Sequence, residues 1–235
     1  MSSTYLALCQ KYQRDSGIVG STIVSAETFS TPMEQKICEW IADADEFAQN
    51  IYSDWPFLRT EKTITLSSGT DTYTLTDLSI TDWATWSHDD FVINPGTDEY
   101  GEVSYVPYEE WLKSSERLGV KESSEPSSVT IKPNGTLVFM DKPDSSYTVW
   151  SIYFKSPTRL SSNTDTSDIP SRFERIILAR TKMYHGEYYG DWELYQSGEK
   201  EYNALFTQLE AWAFPDNRLK TIGAADLSDM VTEVV

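Results

Sequence analysis

Nitrogen and sulfur ligands for a metal are nearly missing: the chain of 235 residues holds two histidines and two cysteines. Cys9 and Cys38 fall in separate helical patterns, far from His88 and His185, so no zinc-site spacing can be assembled. One disulfide is open on count alone, and reduced buried thiols are the expected state. Apolar runs never exceed a handful of residues, so nothing is expected to span a bilayer. The start, MSSTYLALCQKYQRDSG, lacks a basic stretch, an apolar core and a small-residue cleavage site, which predicts a product made in the cytosol or assembled from it. Above all, positive charge is scarce: 19 Lys and Arg stand against 37 Asp and Glu, net −18. A protein that grips DNA clusters Lys and Arg to release counterions from phosphates. The balance here argues against tight nucleic-acid binding, whereas a surface past which DNA must slide should be acidic.

What is present is the composition of a folded protein, 39% hydrophobic and 13% aromatic, long enough for one core or one core with an inserted lobe. Residues 4–15 place Tyr5, Leu8, Cys9 and Tyr12 on one helical face. A second helix starts at Thr31 as N-cap, Pro32 at the first position and Glu34 as the return arm of a capping box. Its apolar stripe is Met33, Ile37, Trp40, Ala44, Phe47 and Ile51, ending before Pro56. Period-2 patterns then take over. KTITLSSGTDTYTL reads as a hairpin, DFVINPGTDEYGEVSYV as a strand pair, PYEEWLKSSERLG as a short helix, SSVTIKPNGTLVFM as a hairpin turning at Asn134-Gly135, and SYTVWSIYFKSP as a long closing strand. Helical spacing returns over 171–188 and 191–213, the first opened by Pro170 behind a Ser167 or Asp168 cap. The plan is α+β: a helical core of about four main helices (1–56 and 157–213), an inserted antiparallel β lobe (57–156) and an extended C-terminal arm (214–235).

Chemistry-bearing patterns are weak. His88, Asp89 and Asp90, or Glu109 and Glu110, resemble acid/base groups, but neighbours on a strand point to opposite faces. Asn163, Asp165, Ser167, Ile169 and Glu174 fall at calcium-loop positions, yet Asp168 stands where the loop needs glycine and Pro170 intrudes. No catalytic, cofactor or metal residue is expected. Arg172, Arg175 and Lys182 share a helix face, solvated or facing the acidic surface of an adjacent copy in a ring. The arm carries apolar residues with no core beside them in sequence, Leu219, Ile222, Leu227, Met230, Val231, Val234 and Val235, and should fray unless its own body or a partner holds it. SDWPFLRTEK, with Trp55, Pro56, Phe57 and Leu58, sits where the helical pattern gives way to the β pattern and is expected to plug that junction.

From about Leu6 to Trp212 the chain resembles the head-to-tail adaptor, or connector, proteins of tailed double-stranded DNA bacteriophages. The stretches that carry the resemblance are YLALCQKYQRDSGIVG, EWIADADEFAQNIYSDWPFLR, DWATWSHDDF, YVPYEEW and KPNGTLVFMDKPDSSYTVWSIYFKSPTRLSSNTDTSDIPSRF, in that order. The resemblance implies a structural virion protein of the neck, assembled in the host cytoplasm, with no cofactor and no membrane partner. Twelve copies would form a ring under the portal protein, extend the DNA channel without holding DNA tightly, and dock tail nozzle, stopper or fibre proteins. Two rival readings are a tail-associated peptidoglycan-cleaving enzyme, suggested by the acidic pairs, and a carbohydrate-binding tail module, suggested by the aromatics.

Overall fold

A computed structural model describes residues 2–18, 22–94, 100–113 and 123–215. The class is α+β, with five α-helices and mostly antiparallel sheets among the described residues. The chain forms two compact units, one from residues up to Tyr52 together with those from Thr158 onward, the other Ser53–Pro157.

In the helical unit, α1 (Tyr5–Asp15) is capped by Thr4, whose hydroxyl accepts from Ala7 N–H, and it buries Tyr5, Leu8, Cys9 and Tyr12. Both cysteines are buried free thiols. Helix α2 (Pro32–Gln49) opens on Thr31, which accepts from Glu34 N–H at 3.2 Å. The Glu34 carboxylate reaches back one residue further than a capping box requires, to Ser30 N–H at 2.7 Å. Two residues of the expected stripe, Phe47 and Ile51, are exposed. Because α2 packs against both α1 and α4, its buried face is broad and centred on Ile37, Ile41, Ala44 and Ala48. Phe47 lies off that face, under the Arg180 guanidinium at 4.1 Å. Ile51 lies beyond the helix, which ends at Gln49 with Asn50 as its cap.

The helix expected over 171–188 is divided. Ser171–Phe173 is a 3-10 turn behind Pro170, and α4 (Arg175–Tyr189) follows it. Ser167 does not cap it: the hydroxyl is committed to the Asp45 carboxylate and accepts from Ile169 N–H. Helix α5 (Trp192–Ala213) starts on an Asp191 cap and runs back along α4. The two axes meet at glycines. A Cβ on Gly198 would stand 2.9 Å from Ala179 O and 3.0 Å from Met183 N, and one on Gly186 would stand 2.6 Å from Tyr195 N. These two positions let the backbones touch.

In the β unit, one sheet has the order β1 (Arg59–Leu66), β11 (Tyr147–Lys155), β4 (Val92–Asn94), β5 (Gly101–Glu102), with β3 (Trp83–Trp86) also paired to β11. The strand expected to close the lobe, β11, is therefore its centre. A second sheet runs β2 (Thr72–Tyr73), β9 (Leu137–Phe139), β8 (Ser128–Ile131), β6 (Ser104–Tyr105), and β7 (Ser123–Ser124) pairs in parallel with β10 (Lys142–Pro143) apart from both. The KTITLSSGTDTYTL hairpin is corrected: β1 pairs with β11 and β2 with β9, so the strands flanking Ser67-Ser68-Gly69 leave for different sheets. The turn's own donors show why, since Gly69 N–H goes to Pro143 O and Ser67 N–H to the Tyr73 hydroxyl, both at 2.7 Å. The pairing of β4 with β5 and the hairpin of β8 with β9 form as expected, with Gly135 at φ +80° in the second turn; the Pro95-Gly96 loop lies outside the described residues. Both sheets enclose one core that includes Ile64, Leu66, Trp86, Phe91, Phe139 and Val149. Helix α3 (Tyr108–Lys113) buries Trp111 against Val138 and Met140.

Candidate interaction surfaces

The residues singled out from the sequence are placed as follows. Arg172 lies over two rings of its own chain, Phe173 at 4.7 Å and Trp212 at 4.5 Å. Arg175 is ion-paired to Glu201 of α5, and Lys182 donates to Ser197 Oγ at 2.7 Å. Arg175 and Lys182 also line one groove of about 570 Å³ with Lys11, Tyr12, Asp15 and Leu178. Arg172 is not among its walls. The groove thus carries three cations, Lys11, Arg175 and Lys182, beside two carboxylates, Asp15 and Glu201.

Trp55, Pro56, Phe57 and Leu58 form a short, tight element of the β unit. Pro56 begins a 3-10 turn over Pro56–Leu58, and Leu58 N–H donates to Trp55 O at 2.9 Å. Trp55 is fully buried and stacks on Phe57 with centroids 5.2 Å apart. The arm residues Leu219, Ile222, Leu227, Met230, Val231, Val234 and Val235 lie outside the described residues.

In the His88-Asp89-Asp90 group, two members have partners of their own. Asp90 accepts from Ser87 Oγ at 2.6 Å and pairs with Arg59 at 3.3 Å, and His88 stacks on Tyr105 with centroids 4.0 Å apart. The calcium-loop positions also disperse. The Asp165 carboxylate accepts the backbone N–H groups of Ser161 and Ser162, Asn163 Oδ1 accepts Ala26 N–H, and Glu174 accepts Ser3 N–H. Among the described residues no group of three His, Cys, Asp or Glu side chains is arranged to hold a metal. None of the described helices is long and apolar enough to cross a membrane.

Two features were not legible in the sequence. The first is a buried polar knot in the helical unit: Asp45 of α2 accepts from Ser167 and from Gln49 Nε2, the latter at 2.9 Å. Burial pushes its carboxyl up to about 6, against the lowering effect of those two bonds, and the nearby Asp168 and Glu46 charges raise it further. The second is an aromatic cluster where α4 turns into α5. Tyr188, Tyr189 and Trp192 are 58%, 61% and 65% exposed. Behind them His185 stacks on Trp40, and its Nδ1 meets the Tyr12 hydroxyl at 2.9 Å. The local string HGEYYGDW was the available signal, because aromatics on both sides of a Gly-Asp turn cannot all face a core.

Tyr188, Tyr189 and Trp192 gather where α4 turns into α5, while other exposed aromatics, Tyr100 and Trp150 among them, lie in the β unit. A protein-family model described as SU10 adaptor protein matches residues 3–221, and the chain belongs to that family. It is thus a structural adaptor of a tailed phage, and membership implies the virion neck as its place and portal and tail components as its partners. No curated protein matches the chain.

Proposed function

We propose that twelve copies form a ring beneath the portal, extend the DNA channel and offer the next docking surface to tail components. Family membership carries this reading, and the charge agrees with it. Twelve copies at −18 each carry −216 around the channel, a lining that repels phosphates and lets DNA pass. The same self-repulsion keeps free copies apart until the portal supplies compensating contacts. The cationic groove of Arg175, Lys182 and Lys11, with Arg172 near by in sequence, is the surface proposed to meet the acidic face of an adjacent copy. The arm, residues 214–235, is the proposed strap to the portal or to a neighbour.

The test is light scattering and sedimentation of the purified chain, alone and with rings of its phage's portal protein. The expected result is a monomer alone and a complex of twelve copies per portal ring. A chain that never joins the portal overturns the reading, and clearing of peptidoglycan or binding of a glycan array would then identify one of the two rival classes.

A further inference from the structure

We infer that the turn between α4 and α5 of one copy docks into the cation-bearing groove of a second copy of this chain, with Trp192 as its anchor. The inference rests on the ring reading above and names what fills the groove.

The turn is a tight, exposed projection. Helix α4 ends at Gly190, whose φ of +69° closes the helix in the left-handed region. Asp191 N–H then donates to Gly186 O at 2.8 Å, and the Asp191 carboxylate caps α5 by accepting Leu194 N–H at 3.0 Å. A turn fixed in this way has little left to order on binding. Tyr188, Tyr189 and Trp192 are each more than half exposed. The Trp192 ring is braced on Tyr195, with the planes 3° apart and the centroids 5.0 Å apart. Glu187, Asp191 and Glu193 flank these rings, and the stretch GEYYGDWE, 186–193, has no lysine or arginine. Exposed tyrosine and tryptophan are the residues that anchor protein interfaces.

The groove complements the turn in size and in charge. Its volume of about 570 Å³ falls within the range of about 300–1,000 Å³ that encloses ligand-sized groups. Tyr12, Leu178 and Leu194 give it an apolar wall for an aromatic ring. It is also open: Lys11 and Arg175 are exposed, and Leu178, Lys182 and Leu194 are half-buried. Of its carboxylates, Glu201 is bound to Arg175 and Asp15 lies 3.9 Å from Arg14. Among the described residues Lys11 and Lys182 pair with no carboxylate, and Lys182 is held only by the Ser197 hydroxyl. Two such lysines beside an apolar wall suit a partner that brings carboxylates and rings together, as the α4–α5 turn does. The turn cannot enter its own groove, because it sits at the end of the helix whose flank forms the groove wall. A second copy must supply it. Turn and groove are different surfaces, so each copy gives one and takes one, the head-to-tail contact that builds a ring. Pairing Glu187 and Glu193 with the groove lysines also offsets the repulsion between copies at −18.

The test places the photo-reactive residue p-benzoylphenylalanine at Trp192 of the full chain. This chain is mixed with isotopically heavy native chain, loaded on portal rings, irradiated and mapped by mass spectrometry. The expected result is cross-links from position 192 of the light chain into residues 11–16 or 175–182 of the heavy chain. A second full-length variant, Trp192→Ala with Glu193→Lys, should weaken loading by about tenfold or more. It should still unfold in urea close to the native chain, because both side chains are exposed. Gln208→Ala, on the exposed side of α5, should load as the native chain does. Cross-links confined to one chain, cross-links to the portal protein or to another surface of the heavy chain, or normal loading of the double variant each overturn the inference while leaving the ring intact. Failure of every chain to load overturns the ring reading itself.

Discussion

Replacing Asp45 by asparagine tests the buried knot most directly. Asp45 is fully buried, and its carboxyl is pushed up to about 6, against about 3.9 for an unfolded aspartate. The folded chain then holds this proton more tightly than the unfolded chain. Its contribution is present below the unfolded value and is lost as pH rises through the folded one. Two units correspond to about 3 kcal/mol, of which roughly 1.5 kcal/mol is lost between pH 5 and pH 8. That window also stays clear of the isoelectric point near 4.4, where solubility falls. Asparagine keeps an oxygen for the Ser167 hydroxyl. After a half-turn of the Gln49 amide, its Nδ2 donates to Gln49 Oε1. Urea unfolding of both proteins at pH 5, 6, 7 and 8 measures the effect. The stability of Asp45→Asn relative to the native chain should rise across the series, and the variant should be the more stable at pH 8. A difference that stays flat with pH, or that falls, refutes the buried-charge account.

Three further outcomes are expected. Gly198→Ala should lower stability by about 1–3 kcal/mol through overpacking, because its Cβ would meet Ala179 O at 2.9 Å. On a free helix face the same change would stabilise by about 1 kcal/mol, so the sign of the Tm shift decides whether α4 and α5 touch there. Trp55→Ala empties a fully buried site stacked on Phe57 and should cost about 3–5 kcal/mol in urea; a loss under about 1 kcal/mol would contradict that burial. Arg175→Glu with Lys182→Glu should abolish loading on the portal while lowering stability by no more than about 1 kcal/mol, since the Arg175–Glu201 pair and the Lys182–Ser197 bond they remove are exposed. Unimpaired loading would remove the groove as a contact between copies.

The sequence alone determined what depends on near neighbours. The Thr31 cap and Pro32 start of α2, the Asn134-Gly135 turn between β8 and β9, and the one-faced burial of α1 all follow from residues within a few positions of one another. Net charge and the ordered string of adaptor-like segments likewise need no fold, and the segments led to the family whose model matches residues 3–221. Only the tertiary structure decided the rest. Alternation in β1 says that one face is buried, but not that its partner is β11, some 80 residues away, rather than the nearby β2. Periodicity in α2 marks Phe47 as apolar, yet its exposure depends on how α1 and α4 divide the helix surface between them. Ser167 reads as a cap by local rules, whereas its hydroxyl donates to the Asp45 carboxylate, 122 residues away, and accepts from Ile169 N–H ahead of the helix rather than from its first turn. In each case a local rule met a stronger partner that only folding brings within reach, and a buried polar or apolar group takes the partner that leaves least of it unsatisfied.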